Sequence, residues 1–284
     1  MNTNHLAVPP APHSISKGVP VKNVLNCTAV TYLANNLAFV YPSFDKHAFI
    51  DHATVRLETL SLMQRAHHIA DALESYLPSA YTQAIKILLA SFTPARTTAE
   101  SFGLETFFYL PHGCFIAKAA HPDNNVLDNG TFICAMHALH ALTMVFTSEF
   151  AIRPFLINHP TRTLAHIKPW INDPNPHVRR LCSEGTRPLL PWGKRLPHFI
   201  ANPELTLPII EALKDDQSLY VRRSVANHLG DIGKHHPQLA CKTAEQWLHD
   251  SPGKERLWVI RHSLRYLVKH QHPHATAIHK QARA

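Results

Sequence analysis

Cysteine is sparse and unpatterned: Cys27, Cys114, Cys134, Cys182 and Cys241 are odd in number, widely spaced and never form a CxxC pair. Neither a disulfide framework nor a cysteine-rich zinc site is expected. Glycine is also scarce, at nine residues, with no GxGxxG and no GxxxxGK[ST], which argues against phosphate-cradling nucleotide loops. No long hydrophobic run is present. The longest, Thr131–Phe146, has 16 residues and is broken by His137 and His140, too short and too polar to cross a bilayer. The N-terminus shows no basic-then-apolar signal pattern, so a reduced, cytoplasmic setting with no membrane partner is expected. No run of alternating apolar and polar residues is long enough to argue for a sheet.

What is present is a globular composition with an uneven charge. Of 284 residues, 45% are hydrophobic and 17% charged, enough apolar chain for a sizeable core. Residues 1–159 carry nine basic and ten acidic side chains, and residues 160–284 carry 19 and ten. The net charge of +8 therefore belongs to the C-terminal part, as expected of a region that meets a polyanion such as nucleic acid. A merely solvated basic face is the plainer alternative. Twenty-three histidines would add positive charge below about pH 6.5.

The same C-terminal part repeats. HPTRTLAHIKPWIND (159–173), NPELTLPIIEALKDD (202–216) and HPQLACKTAEQWLHD (236–250) each place aspartate thirteen residues after proline. The copies are 43 and 34 residues apart, a helical-repeat period. Asp173 and Asp216 each precede an arginine by six residues, Arg179 and Arg222, in the segments DPNPHVRRLCSEG and DQSLYVRRSVANH. That pairing resembles HEAT repeats and reads as a charge-assisted ladder between stacked helix pairs. The third copy departs on this reading, with Asp250 eleven residues from Arg261 in VIRHSLRYL. Upstream, Leu62, Ala66, Ile69, Leu73 and Leu77 recur at helical spacing until Pro78, and further amphipathic segments cover about 28–40, 81–92 and 132–146. The expected fold is all-α, a HEAT-like helical-repeat solenoid over 21–284, preceded by an unpacked arm over the four-proline segment 1–20.

The densest cluster of unusual residues is VRRLCSEGTRPLLPWGKRLPHF (178–199). Glu184 falls one turn after Arg180 on one helical face, and Trp192 stands in a proline-rich turn beside Lys194 and Arg195. Basic side chains interleaved with an aromatic suit an unstacked base. Taken singly, Trp192 reads as a packing residue and Glu184 as an arginine-paired surface acid. Glu149 in SEFAIRPFL follows a strongly apolar helix, and Asp231 ends a helix, a poor electrostatic place for an anion. The histidine clusters lack HExxH or a cysteine partner, so no metal and no cofactor are expected.

Taken together, SEFAIRPFL (148–156), HVRRLCSEGTRPLLPW (177–192), ALKDDQSLYVRRSVANHLGDI (212–232) and KHHP (234–237) resemble the AlkC branch of the HEAT-like-repeat DNA glycosylases over roughly residues 20–270. The resemblance implies a monomeric, monofunctional glycosylase excising 3-methyladenine and 3-methylcytosine from alkylated double-stranded DNA. It puts Glu149, Glu184, Trp192 and Asp231 at the active site. It makes Arg180, Arg187, Arg222, Arg223 and Asn227 face DNA or brace the site, with Lys194, Arg195 and Arg261 as further DNA contacts. Many relatives append an immunoglobulin-like domain, and a member of the branch without it is expected. The rival expectation is a non-catalytic HEAT-repeat scaffold binding DNA or protein.

Overall fold

The computed structural model describes residues 6–94, 103–120 and 127–283, all helix, turn and coil, with no strand among them. The chain divides into two compact units, 1–154 and 155–284.

In the first unit lie α1 (Cys27–Val40), α2 (Lys46–Thr54), α3 (Leu62–Tyr76), α4 (Tyr81–Ala90), α5 (Leu110–Ala117) and α6 (Asn129–Thr143). Side chains start these helices where the sequence offers a cap: Asn26, Asp45 and Asp128 each accept the backbone N–H three residues on, and Ser61 with Gln64 forms a capping box. One buried cation ties the entrance of α3 to the preceding chain. Arg65, fully buried, donates to the carbonyls of Lys22, Leu25, Glu58 and Leu60 and to the Glu58 carboxylate. The segment expected as an unpacked arm is held at two points. Asn36 exchanges two hydrogen bonds with the Ala7 backbone, and Leu104 N–H donates to the Pro12 carbonyl.

α7 (Arg153–Asn158) leads into the second unit, which holds α8 (Pro160–Ile167), α9 (Pro176–Gly185), α10 (Pro197–Ala201), α11 (Leu207–Leu213), α12 (Leu219–His235), α13 (Pro237–His249), α14 (Lys254–Lys269) and α15 (Pro273–Gln281). Proline opens α8, α9, α13 and α15, where its missing N–H costs nothing. The helices form stacked pairs, α11–α12 and α13–α14, with α9, α12 and α14 packed in sequence, while α8 and α9 both pack on the 3-10 segment Lys168–Asn172 between them. α12 and α14 approach so closely that a Cβ at Gly230 would lie 3.1 Å from the Ser263 carbonyl oxygen. Glycine permits that distance.

The aspartate–arginine ladder is present, and it extends further than the sequence reading allowed. Arg179 donates through Nη1 to the Asp173 carbonyl six residues back, and through Nε and Nη2 to both oxygens of Asp216 in the next repeat, at 2.6 and 3.0 Å. Arg222 makes the same backbone bond to the Asp216 carbonyl. The third copy keeps the spacing: Arg256, six residues after Asp250, donates to its carbonyl at 2.9 Å and pairs with the Asp250 and Asp215 carboxylates. Arg261 is not the ladder residue. The cue was the six-residue offset itself, masked because Leu257 stands where the other copies have a second arginine.

Candidate active site

α9 presents Arg180, Glu184 and Arg187 at three- and four-residue spacing, one face of a helix and its exit. α12 presents Tyr220, Ser224 and Asp231 at four and seven, again one face. Where the two faces meet, the acids converge on one guanidinium. Arg187 donates through Nη1 to Glu184 Oε1 at 2.7 Å and through Nε to Asp231 Oδ2 at 2.9 Å. The other carboxylate oxygens are also engaged. Ser224 Oγ donates to Glu184 Oε2 at 2.6 Å, and Lys234 Nζ to Asp231 Oδ1 at 3.1 Å. Arg180 lies 3.4 Å from Glu184 Oε1 with its guanidinium 5.1 Å from the Tyr220 ring centroid.

These groups are buried: Glu184 is 6% exposed, Arg187 7% and Asp231 2%. Isolated carboxylates at such depth would protonate. Burial does push Glu184 upward, but the Arg180 and Arg187 charges, with the Ser224 and Arg187 hydrogen bonds, outweigh it and hold its pKa below the ordinary glutamate value. Beneath the pair, His228 Nδ1 donates to the Ser183 carbonyl at 3.0 Å and Nε2 meets the Thr206 hydroxyl at 3.1 Å. Burial lowers the His228 pKa to about 4, so it stays a neutral tether between α9 and α12.

Trp192 is not a packing residue. It is 75% exposed, the most exposed of the large hydrophobic side chains among the described residues. The Gly193 N–H donates to the Leu190 carbonyl, so Pro191 and Trp192 are the central residues of a tight turn. Trp192 has φ +63°, in the position where a proline-led type II turn normally carries glycine. A left-handed tryptophan costs roughly 1–2 kcal/mol, and here the indole it carries is held in water.

The remaining expected residues fall in several places. Glu149 lies in the first unit, in the turn between α6 and α7, half-buried, accepting from the Thr147 hydroxyl at 3.0 Å. Lys194 and Arg195 flank Trp192 on the exposed turn. Arg223 is exposed on α12, and Asn227 accepts from Arg265. Arg222 serves the inter-helix turn. Arg261 donates to the Ala282 carbonyl at the end of α15, which ties it to the C-terminal helix. Sequence reasoning passed over Ser224, Lys234 and Arg265. Ser224 could have been found from its seven-residue offset to Asp231, which puts the two on the same face. Among the described residues no three His, Cys, Asp or Glu side chains are placed to hold a metal ion, and no helix is long and apolar enough to cross a membrane.

Two deeply buried carboxylates sharing a guanidinium, with Glu184 held in its charged form and an exposed indole nearby in sequence, can oppose a developing positive charge and orient water. Glu184 supplies no general acid, because the arginine charges around it override burial in favour of the charged form. The family model described as DNA alkylation repair enzyme matches residues 140–267, a span that holds all four expected active-site residues. The Uncharacterized protein YhaZ of Bacillus subtilis (strain 168) is 37% identical over 261 residues, 91% of this chain and 67% of that protein. A solved structure of the Pseudomonas fluorescens alkylpurine DNA glycosylase AlkC, bound to DNA containing an abasic site analog, is 36% identical. It aligns with a TM-score of 0.79 over 92% of this chain and 67% of its own.

Proposed function

The chain belongs to the DNA alkylation repair enzyme family, and from that membership we propose that it is a monofunctional DNA glycosylase. It excises cationic N3-alkylated bases, 3-methyladenine and 3-methylcytosine, from double-stranded DNA, acting as a cytoplasmic monomer with residues 21–284 as one functional domain. The observation that carries this reading is the Glu184–Arg187–Asp231 bridge, with both acids buried and Glu184 kept charged at depth.

An N3-alkylated base is a cation attached to the sugar, so breaking the glycosidic bond releases it neutral. No proton need be delivered to it. The cost lies in the sugar, which takes on oxocarbenium character as the base departs. Glu184 and Asp231 oppose that charge and hold the attacking water, Glu149 contacts the lesion, and the Trp192 indole stacks beside it. Selectivity then follows from the lesion's own lability and charge, and neutral lesions are poor substrates. Similarity to a glycosylase bound to abasic-site DNA supports DNA as the partner, as does the basic excess of residues 160–284.

Single-turnover release of 3-methyladenine and 3-methylcytosine from methylated DNA tests the reading. Glu184→Gln and Asp231→Asn are each expected to lower the rate about 10²–10³-fold, the usual size of a lost electrostatic stabiliser. Wild-type protein that frees neither base, or variants that free both at the wild-type rate, would return the chain to a DNA-binding scaffold.

A further inference from the structure

Glu184 stands where a helix is least able to hold a side chain still. α9 ends at Gly185, and the carbonyls of a helix's last turn lack regular partners within it. An anion in that turn also meets the unfavourable end of the helix dipole. The backbone beyond ties the turn weakly, since the Arg187 N–H reaches the Glu184 carbonyl at 3.4 Å. Side chains do the rest. The Thr186 hydroxyl lies 2.6 and 3.2 Å from the Cys182 and Ser183 carbonyls, but it belongs to the same turn and moves with it. His228 does not. It comes from α12, 45 residues on, and its Nδ1 donates to the Ser183 carbonyl at 3.0 Å, on the peptide that leads into Glu184.

The ring that makes this bond is itself fixed at both ends. His228 is fully buried, and its Nε2 lies 3.1 Å from the hydroxyl of Thr206, also fully buried, at the entrance to α11. A carbonyl can only accept, so Nδ1 carries the proton and Nε2 accepts from Thr206, whose hydroxyl is shared with the Pro203 carbonyl at 3.0 Å. Burial keeps the imidazole neutral, with Asp231, Arg187 and Glu184 as the charged groups around it. On α12 it precedes Asp231 by three residues, one turn, about 4.5 Å along the axis. One ring therefore joins the peptide of the first acid to the turn that carries the second. The shared guanidinium bridges the two carboxylates at 2.7 and 2.9 Å only when those turns are in register.

We propose that His228 is a positioning residue of the site: it caps the end of α9 from α12 and so fixes the Glu184 carboxylate against that of Asp231, without touching the substrate. The kinetic consequence rests on the glycosylase reading; the cap does not. A histidine that merely adds stability is the competing account, and its two hydrogen bonds separate the two. Only the bond to Ser183 reaches the turn of Glu184. The bond to Thr206 anchors the ring elsewhere.

Three variants divide these bonds. His228→Leu fills a similar volume and removes both. His228→Asn keeps an amide donor near the place of Nδ1 and loses Thr206. Thr206→Val keeps the histidine and its bond to Ser183. Urea unfolding should find all three less stable than wild type. Single-turnover release of 3-methyladenine, followed across protein concentration, should rank them differently. His228→Leu is expected to lower the rate at saturation about 10²-fold, the size of a small misplacement at a reacting centre, with the half-saturating concentration changed less than about twofold. His228→Asn should recover most of that loss, and Thr206→Val should release base at the wild-type rate. Rates that follow stability through the series, or a wild-type rate in His228→Leu, overturn the proposal. If His228→Leu does not fold, His228→Gln, whose longer amide extends toward Thr206, takes its place. Amide hydrogen exchange at residues 184–187 reads the cap without any chemistry: exchange should quicken in His228→Leu and stay near wild type in His228→Asn. Wild-type protein that frees no base but shows that exchange pattern keeps the cap and loses the glycosylase reading. Wild-type protein that frees base, with exchange unchanged in His228→Leu, does the reverse.

Discussion

Replacing Arg187 with methionine keeps most of the side-chain volume and removes the charge shared by Glu184 and Asp231. Breaking a buried ion pair by deleting one partner costs about 3–5 kcal/mol, because the remaining charge is stranded. Here two carboxylates are stranded at once, but neither is abandoned: Arg180 remains 3.4 Å from Glu184, and Lys234 remains 3.1 Å from Asp231. The expected loss is therefore ~3 kcal/mol at neutral pH, the low end of that range. At roughly 2–4 °C per kcal/mol for a chain of this size, Tm falls by about 6–12 °C. The loss has a pH signature. In wild type the folded pKa of Glu184 is lowered, so its ionisation contributes stability that is present above the unfolded glutamate value and lost as pH falls through the folded one. Arg187→Met removes much of that contribution while burial still pushes Glu184 upward. The deficit should be largest near pH 7 and shrink toward pH 4. Thermal unfolding by circular dichroism across that range measures it, and adding Glu184→Gln and Asp231→Asn should restore much of the lost Tm. A variant as stable as wild type at pH 7, or a deficit that does not change with pH, would refute the buried-clamp argument.

Ser224→Ala removes the donor that favours ionised Glu184, so the acid limb of the pH–rate profile should move to higher pH, with KM little changed; superimposable profiles would contradict the assigned contact. Trp192→Gly should relieve the left-handed strain at little packing cost, leaving Tm equal or higher while base release collapses, as unfolding and single-turnover assays would show. In the first unit, Arg65→Met strands the buried carbonyls of Lys22, Leu25, Glu58 and Leu60, and urea unfolding should register a loss of about 2 kcal/mol or more.

The helices were readable because their signals are local. Pro78 stops the apolar stripe that becomes α3, and Pro160 and Pro237 open α8 and α13 where the repeat placed them. Glu184 and Asp231 could be singled out one at a time, the first by its spacing from Arg180 and the second by its misplacement near a helix end. That they share Arg187 could not, since the bond spans 44 residues and depends on how α9 meets α12. Trp192 was misread in isolation for a related reason: side-chain type suggests burial, and only the backbone angle shows that the turn lifts the indole into water.

The arginine pairs show the same division between what spacing fixes and what packing fixes. Arg179–Arg180 and Arg222–Arg223 look equivalent in sequence, yet adjacent helical residues point about 100° apart and cannot serve one face. The first of each pair, six residues after the ladder aspartate, closes the inter-helix turn through that residue's carbonyl. The second turns toward α12's polar face or stays exposed on it: Arg180 meets Glu184 and Tyr220, and Arg223 stands beside His262. Removing a ladder arginine should therefore cost stability with little change in salt dependence, and removing exposed Arg223 should alter ligand binding with little change in stability. In the third repeat Leu257 leaves the second position without charge, and the cation is supplied two turns later by Arg265, at the place where the preceding repeat carries Asp231. One ladder thus holds the repeats in register while the residues beyond it are free to differ. That freedom lets the second repeat carry an acid, Asp231, where the third carries a base, Arg265.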